Sequence, residues 1–433
     1  MMVRRFIPVF VVVALILSVA GPALAQTQQP PAAPTPQPST APAPARVVAG
    51  QDGIAIESGN GDFRLQFGLL AHLDGRFALA DENHQVLDTF AVRRARPYLR
   101  GRLGRHFEFY LNPDFAGGTL ALQDAYVDTI FSPALRVRLG KGKTPFGFER
   151  LLSVSNSLFL ERAFPTTIAP NRDIGVQILG DISGGVVSYL AGVMNGVADG
   201  SSSDTETNDS KDMSGRIVLR PFVKRDAAHP GRGLALGLSG SRGRATGATA
   251  LPTFRTATLL QPYFSYATGG TPAIADGIRT RYSPSIWYLR GQFGGWGEYV
   301  RSEVPVRRGD VVHDVAHEAW QVAASWVLTG ESPTDSSAPI RPRNNFDFGK
   351  GHWGAFQVSA RYHALEVDEK AFLFGLAAAG SSRKAEAWTL GLRWYATGNV
   401  SYTLNFERTV FDGDPKGPRR AENGLAFRTQ LYF

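Results

Sequence analysis

From Phe63 onward, apolar and polar residues alternate with a period of two. Phe63, Leu65, Phe67, Leu69, Ala71, Leu73, Gly75 and Phe77 share one parity, and Arg64, Gln66, Gly68, Leu70, His72, Asp74 and Arg76 share the other. Successive side chains of a strand point to opposite faces, so this run predicts a strand with one apolar and one wet face. Residues 63–77 are longer than the about 9–11 residues that a tilted strand needs to cross a bilayer. The pattern returns at Trp320, Val322, Ala324 and Trp326, at Phe356, Val358 and Ala360, at Trp388, Leu390, Leu392 and Trp394, and at Val400, Tyr402, Leu404 and Phe406. Its last instance is Leu425, Phe427, Thr429, Leu431 and Phe433. Aromatic residues gather near the strand ends, as in interfacial girdles.

Sixteen such runs can be marked between 63 and 433, or eighteen if 244–277 conceals a further pair. Parity alone does not say which face points outward. The length and number of the strands, an export signal and the closing apolar strand decide for lipid on the outside. Open sheet edges do not survive in hydrocarbon, so the strands must close. The expected fold is an all-β transmembrane antiparallel β-barrel of about 16 strands with long external loops and short periplasmic turns. Long connections (78–89, 144–172, 198–211, 244–277, 368–384, 412–423) alternate with short ones such as Arg105-His106 and Gly398-Asn399. Residues 329–353 break the alternation: either the count slips there or one periplasmic turn is extended.

Arg4-Arg5, the apolar stretch from Phe6 to Ala20 and Ala23-Leu24-Ala25 read in order as a secretory signal peptide covering 1–25; a buried N-terminal helix is the alternative. Residues 26–62 are expected to be a Pro-rich periplasmic linker, with seven prolines between Gln26 and Ala45. The barrel then occupies 63–433.

Composition narrows the picture. The chain has 433 residues, 47 of them Gly, with 11% aromatic and 19% charged residues, which suits many strands and turns rather than a coiled coil. Absence of Cys excludes disulfides, iron–sulfur ligation and thiolate zinc sites. The 46 basic residues are 38 Arg and 8 Lys, against 38 acidic residues, a formal charge of +8. The guanidinium fork suits phosphate and carboxylate.

Much of that arginine lies on wet parities. Val92, Arg94, Arg96, Tyr98, Arg100 and Arg102 share one face of the second strand; Ala91, Arg93, Ala95, Pro97 and Leu99 share the other. An arginine facing lipid at mid-bilayer would cost about 2–4 kcal/mol, so the ladder should face a water-filled lumen. Arg64, Arg136, Arg138, Arg361 and Arg393 are further lumen candidates. Between low-dielectric walls such a row concentrates anions, and weak sites in series let them move on. Glu108, Asp114, Asp124, Asp128 and Asp181 are the residues that would neutralise it. The segment 144–172 is the candidate constriction loop, with Glu161, Arg162 and Arg172 its candidate charged residues; an external lid is the alternative.

Other motifs fail. Gly142-Lys143-Thr144 lacks the upstream P-loop glycine, since Val137 stands there. His317-Glu318 would open a zinc motif, but Gln321 occupies the second histidine's place. No catalytic, metal or cofactor site is expected, and no enzyme.

The order of several blocks resembles the phosphate-selective porins O and P. They are Arg93-Arg94-Ala95-Arg96-Pro97-Tyr98, Asp124-Ala125-Tyr126-Val127-Asp128, Gly140-Lys141-Gly142-Lys143-Thr144-Pro145-Phe146-Gly147, Phe159-Leu160-Glu161-Arg162-Ala163 and Gly354-Ala355-Phe356-Gln357-Val358-Ser359-Ala360-Arg361-Tyr362. The resemblance implies a sixteen-stranded homotrimeric porin of the bacterial outer membrane that passes small anions such as phosphate and chloride. Its partners would be outer-membrane lipid and, through Phe433, the barrel-assembly machinery, with no nucleic acid. The family's external lysine cluster is thin here; Arg307, Arg308, Arg419 and Arg420 are the substitutes. A non-transporting barrel (adhesin or anchor) and a secreted soluble β-protein are the rival readings.

Overall fold

A computed structural model describes residues 44–79, 86–206, 208–335, 338–413 and 419–433. The signal peptide and most of the proline-rich stretch lie outside the described residues. Two short strands come first, β1 (Arg46–Gly50) and β2 (Gly53–Glu57). The wall begins with β3 (Phe63–Leu79), β4 (Thr89–Leu103), β5 (Phe107–Asp114), β6 (Ala121–Ser132), β7 (Leu135–Lys143), β8 (Arg172–Ile182), β9 (Val187–Met194), β10 (Asp212–Leu219) and β11 (Leu234–Gly247). A loop then carries a small pair, β12 (Phe254–Arg255) and β13 (Pro262–Phe264). The wall resumes with β14 (Ile274–Arg290), β15 (Phe293–Arg308), β16 (Val311–Val327), β17 (Ala355–Glu366), β18 (Lys384–Tyr395), β19 (Val400–Asp412) and β20 (Glu422–Tyr432). One short helix, α1 (Lys370–Leu373), sits between β17 and β18.

Neighbouring wall strands pair antiparallel, and β20 pairs back onto β3, with Tyr432 opposite Leu70 and Asn423 opposite Leu79. The ring is therefore a closed antiparallel barrel of sixteen strands, with β1 and β2 added outside the count. Closure removes the edges that hydrocarbon would not tolerate. The pair expected within 244–277 exists as β12 and β13, but it forms a separate two-stranded sheet and does not enlarge the ring. Residues 46–57, read from sequence as linker, instead form a hairpin whose second strand pairs Ile54 with Phe67 and Glu57 with Arg64. It covers the end of β3 that the shorter β20 leaves bare.

Burial follows the alternating parity. Trp388, Leu390 and Leu392 are exposed on the outside, Trp388 by 61%, while Gln66, His72, Asp74 and Gln321 point inward and are buried. Stacked outward aromatics, such as Phe356 on Trp394 and Phe293 on Trp326, sit at the short-turn end. One turn differs from its expected place. The sequence puts a turn at residue 295, whereas the chain reverses at Gly291-Gln292, where Gly291 has φ +56°. Glycine adopts that conformation without a Cβ clash. The nearby Gly294, Gly295 and Gly297 are strand residues of β15.

The interior is filled on one side. Phe146, Phe164 and Ile168 from 144–171, Phe254, Phe264 and Tyr266 from the β11–β14 connection, and Ala371 and Leu376 from the β17–β18 connection form one apolar cluster. It packs on Val300, Val304, Val315 and Ala319 of β15 and β16. On the short-turn side, 328–354 is indeed an extended turn, so the strand count does not slip there. Its Ile340 packs with Val327, Ala355 and Tyr395, and Thr334 accepts a 2.6 Å hydrogen bond from Asn156 Nδ2. Residues 220–233 make a second long periplasmic connection, and 309–310 a short external one.

Candidate functional site: a bore beside an anchored loop

Between β3 and β4 the register slips. His72 pairs with Arg94 but Leu73 pairs with Val92, leaving Arg93 as the extra residue of a bulge. A bulge inserts one residue and re-aims its neighbours. Val92, expected on the lumen parity, is turned outward and 52% exposed. Arg93, expected outside, sends its guanidinium inward to Glu161 at 2.7 Å.

Glu161 lies in the long loop 144–171 and gathers four arginines. Arg76 reaches it at 2.7 Å, Arg93 at 2.7 Å, Arg428 at 3.6 Å and Arg94 at 3.7 Å. Burial alone would raise its pKa, but the guanidiniums of Arg93, Arg94, Arg428 and Arg76 hold it well below the usual carboxylate range.

The rest of the loop is tied to the wall residue by residue. Leu160 N–H donates to Asn405 Oδ1 at 2.7 Å, and Phe148 N–H donates to Glu298 Oε1 at 2.6 Å. The Gln321 amide donates to both the Glu149 and Glu298 carboxylates at 3.0 Å. Phe148 stacks on Trp287 with ring centroids 4.5 Å apart. Arg361 donates to the Glu161 carbonyl and pairs with Glu407 at 3.3 Å, while Arg393 donates to the carbonyls of Ser155 and Ser157 at 2.9 and 2.8 Å. Both arginines point inward, as their parity predicts, but the loop covers them and they are buried. Arg162 is used within the loop, donating to the carbonyls of Glu149 and Leu152. Arg172, placed by sequence in the loop, is the first residue of β8 and grips Asp124 at 3.0 and 3.2 Å.

The space left open is a cavity of about 660 Å³ between β3–β8 and loop residues Leu151, Ser153 and Val154. Its basic lining is Arg64, Arg96, Arg100, Arg102, Arg136, Arg138, Lys143 and Arg172; its acidic lining is Glu108, Asp124, Asp128 and Asp335. Seven predicted arginines are thus brought together, and Arg94, Arg361 and Arg393 are left beneath the loop. Most are part-neutralised. Arg96 holds Asp114 at 2.7 Å, Arg138 holds Asp128 at 2.7 and 2.9 Å, Arg136 reaches Glu108 at 3.0 Å, and Arg64 pairs with Glu57. Arg102 donates to the Gly61 carbonyl, and Lys143 to the carbonyls of Leu151 and Leu152. Arg100 has no carboxylate partner among the described residues; its guanidinium lies 5.4 Å from the Tyr98 ring and 5.8 Å from Tyr110.

Sequence reasoning put Tyr98 on the lumen parity but passed over the lining residues Tyr110, Tyr126 and Asp335. Tyr98, Tyr110 and Tyr126 stand on three successive strands with adjacent ring centroids 5.9 and 5.7 Å apart. Tyr98 lies over Gly68, where any Cβ would collide with its ring, and its hydroxyl donates to the Phe433 carbonyl. The shared parity of Glu108, Tyr110 and Asn112 was the available signal. Asp335 enters from the extended periplasmic turn, accepts from Trp287 Nε1 at 3.2 Å and reaches Arg220 at 3.5 Å; no parity rule could have placed it. Among the external arginines, Arg307 pairs with Asp276 at 2.8 Å and Arg308 donates to the carbonyls of Thr271 and Gly375.

Comparison with known proteins gives a consistent result. The model of the family described as phosphate-selective porin O and P matches residues 64–433. No curated protein matches the chain. Among solved structures, a loop-deletion mutant of OmpT, an outer membrane protein of Vibrio cholerae, superposes with TM-score 0.54 at 11% identity, covering 86% of this chain and 100% of that one. The outer membrane channel DcaP of Acinetobacter baumannii gives 0.54 at 11%, covering 86% and 97%. An anion-selective porin from Comamonas acidovorans gives 0.52 at 12%, covering 86% and 100%. At these identities the likeness is one of fold.

Proposed function

Since this chain belongs to the phosphate-selective porin O and P family, an integral protein of the bacterial outer membrane, we propose that it is a passive diffusion channel favouring small anions, phosphate among them. One observation carries the preference: the open cavity is lined by eight basic and four acidic side chains, and with Glu57 and Asp114, which pair with the lining Arg64 and Arg96, the formal excess is 8 − 6 = +2. Low-dielectric walls focus that excess onto the water between them, raising the local anion concentration. The loop 144–171 narrows the passage, and the arginines on β3, β4, β7 and β8 replace part of an anion's hydration as it passes. Because most of them are already part-neutralised by carboxylates, no single site holds an anion tightly enough to trap it.

The first 25 residues serve as the export signal and the following proline-rich stretch as a spacer. The working assembly is a homotrimer; a trimer form is described for the OmpT of Vibrio cholerae, which shares the fold. Purified channel in a planar bilayer under a salt gradient tests the reading. A reversal potential of anion-selective sign is expected, and one of cation-selective sign overturns it.

A further inference from the structure

The bore holds more aromatic surface than an inorganic anion can use. At one level of the wall Gln66 pairs with Arg100, Arg100 with Tyr110, Tyr110 with Tyr126 and Tyr126 with Gly140. Tyr98 leans in from the neighbouring level, so three rings, tilted 48° and 47° to one another, line the cavity side by side. The Arg138 guanidinium lies 3.7 Å from the Tyr126 ring centroid and fixes that ring from below. The Tyr110 and Tyr126 hydroxyls have no hydrogen-bond partner among the described residues. Across the cavity stand apolar Leu151 and Val154. Beside the rings is Arg100, exposed and without a carboxylate partner among the described residues. About 660 Å³ is ample for an organic solute, whose usual sites combine apolar walls with a few placed polar groups.

We infer that this stretch of the bore is a subsite for flat organic carboxylates: the carboxylate on Arg100, the ring against Tyr110 and Tyr126, and their hydroxyls donating to the solute's oxygens. A phosphate would use Arg100 and leave the aromatic face and Leu151 and Val154 idle. The inference rests on the channel reading and names its solute class.

Chloride current through single channels provides the test, with benzoate, acetate and phosphate added in turn. Benzoate should interrupt the current at concentrations about tenfold below those of acetate, the scale of one good aromatic contact. Tyr126→Ser should remove most of that difference, and Tyr110→Phe, which keeps the ring, should keep the greater part of it. Benzoate acting no more strongly than acetate, or phosphate acting more strongly than benzoate, overturns the subsite while the anion-selective current still supports the channel. Absence of current overturns the channel itself.

Discussion

Arg428 grips Asp74 across the seam where the barrel closes. The two residues face each other in register on β20 and β3, and Nε and Nη2 donate to the two carboxylate oxygens at 2.6 and 2.7 Å. Both side chains are almost wholly buried, and Arg76 gives Asp74 its only other ion pair among the described residues.

Arg428→Met should therefore weaken the closed ring. Stripping a buried carboxylate of its main partner costs about 3–5 kcal/mol, less whatever Arg76 recovers. The temperature at which the folded band on a semi-native gel converts to the unfolded one should drop, and Asp74→Asn added to Arg428→Met should restore part of the loss. An unchanged conversion temperature for the single variant would show that the seam does not depend on this pair.

Arg100→Glu should lower the anion-to-cation permeability ratio by roughly fivefold in dilute salt, since it changes the charge of the bore by two units in a water-filled space. In 1 M salt the Debye length falls to about 3 Å and the effect should nearly vanish. Reversal potentials at both salt levels give the answer; a ratio that ignores the substitution would take Arg100 out of the pathway.

Asp335→Asn should act in the opposite direction. The substitution removes a negative charge from the lining while keeping an oxygen for Trp287 Nε1. The permeability ratio should rise by a few-fold in dilute salt, with single-channel conductance for chloride rising alongside. An unchanged ratio would mean that ions leave by a route that does not pass this turn.

Phe148→Ala should loosen the inner loop. The ring stacks on Trp287 and touches Trp296, and removing a buried phenyl ring costs about 3–5 kcal/mol of packing. Open-channel noise should increase and the mean conductance should shift upward. Identical noise and conductance would mean that the backbone bonds to Glu298 and Asn405 hold the loop unaided.

Strand parity was readable because lipid and lumen impose one environment on each face along the whole strand. Trp388 and Gln321 are both where alternation puts them, and sixteen strands follow from counting such runs. The bulge at Arg93 was not readable, because a single inserted residue reverses the parity beyond it without changing composition. The turn at Gly291 was displaced because Gly294, Gly295 and Gly297 offered equally good breaking points. Arg361 and Arg393 were correctly sent inward, but parity cannot distinguish a lumen position that meets water from one that meets another loop. The signal for that lay in Phe146, Phe164, Phe254 and Phe264, apolar residues in connections that would otherwise be solvated. Asp335 depended on how a long turn folds back, which no local rule encodes.

Because three loops fill one side of the ring, the calibre of the conduit is set by insertions rather than by the circumference of the hoop. A lineage can widen, narrow or re-tune the passage by exchanging residues in the packing of 144–171 and its companions, while the lipid-facing staves, their tilt and their number stay as they are. Permeation and membrane fit are thereby separable traits of one chain.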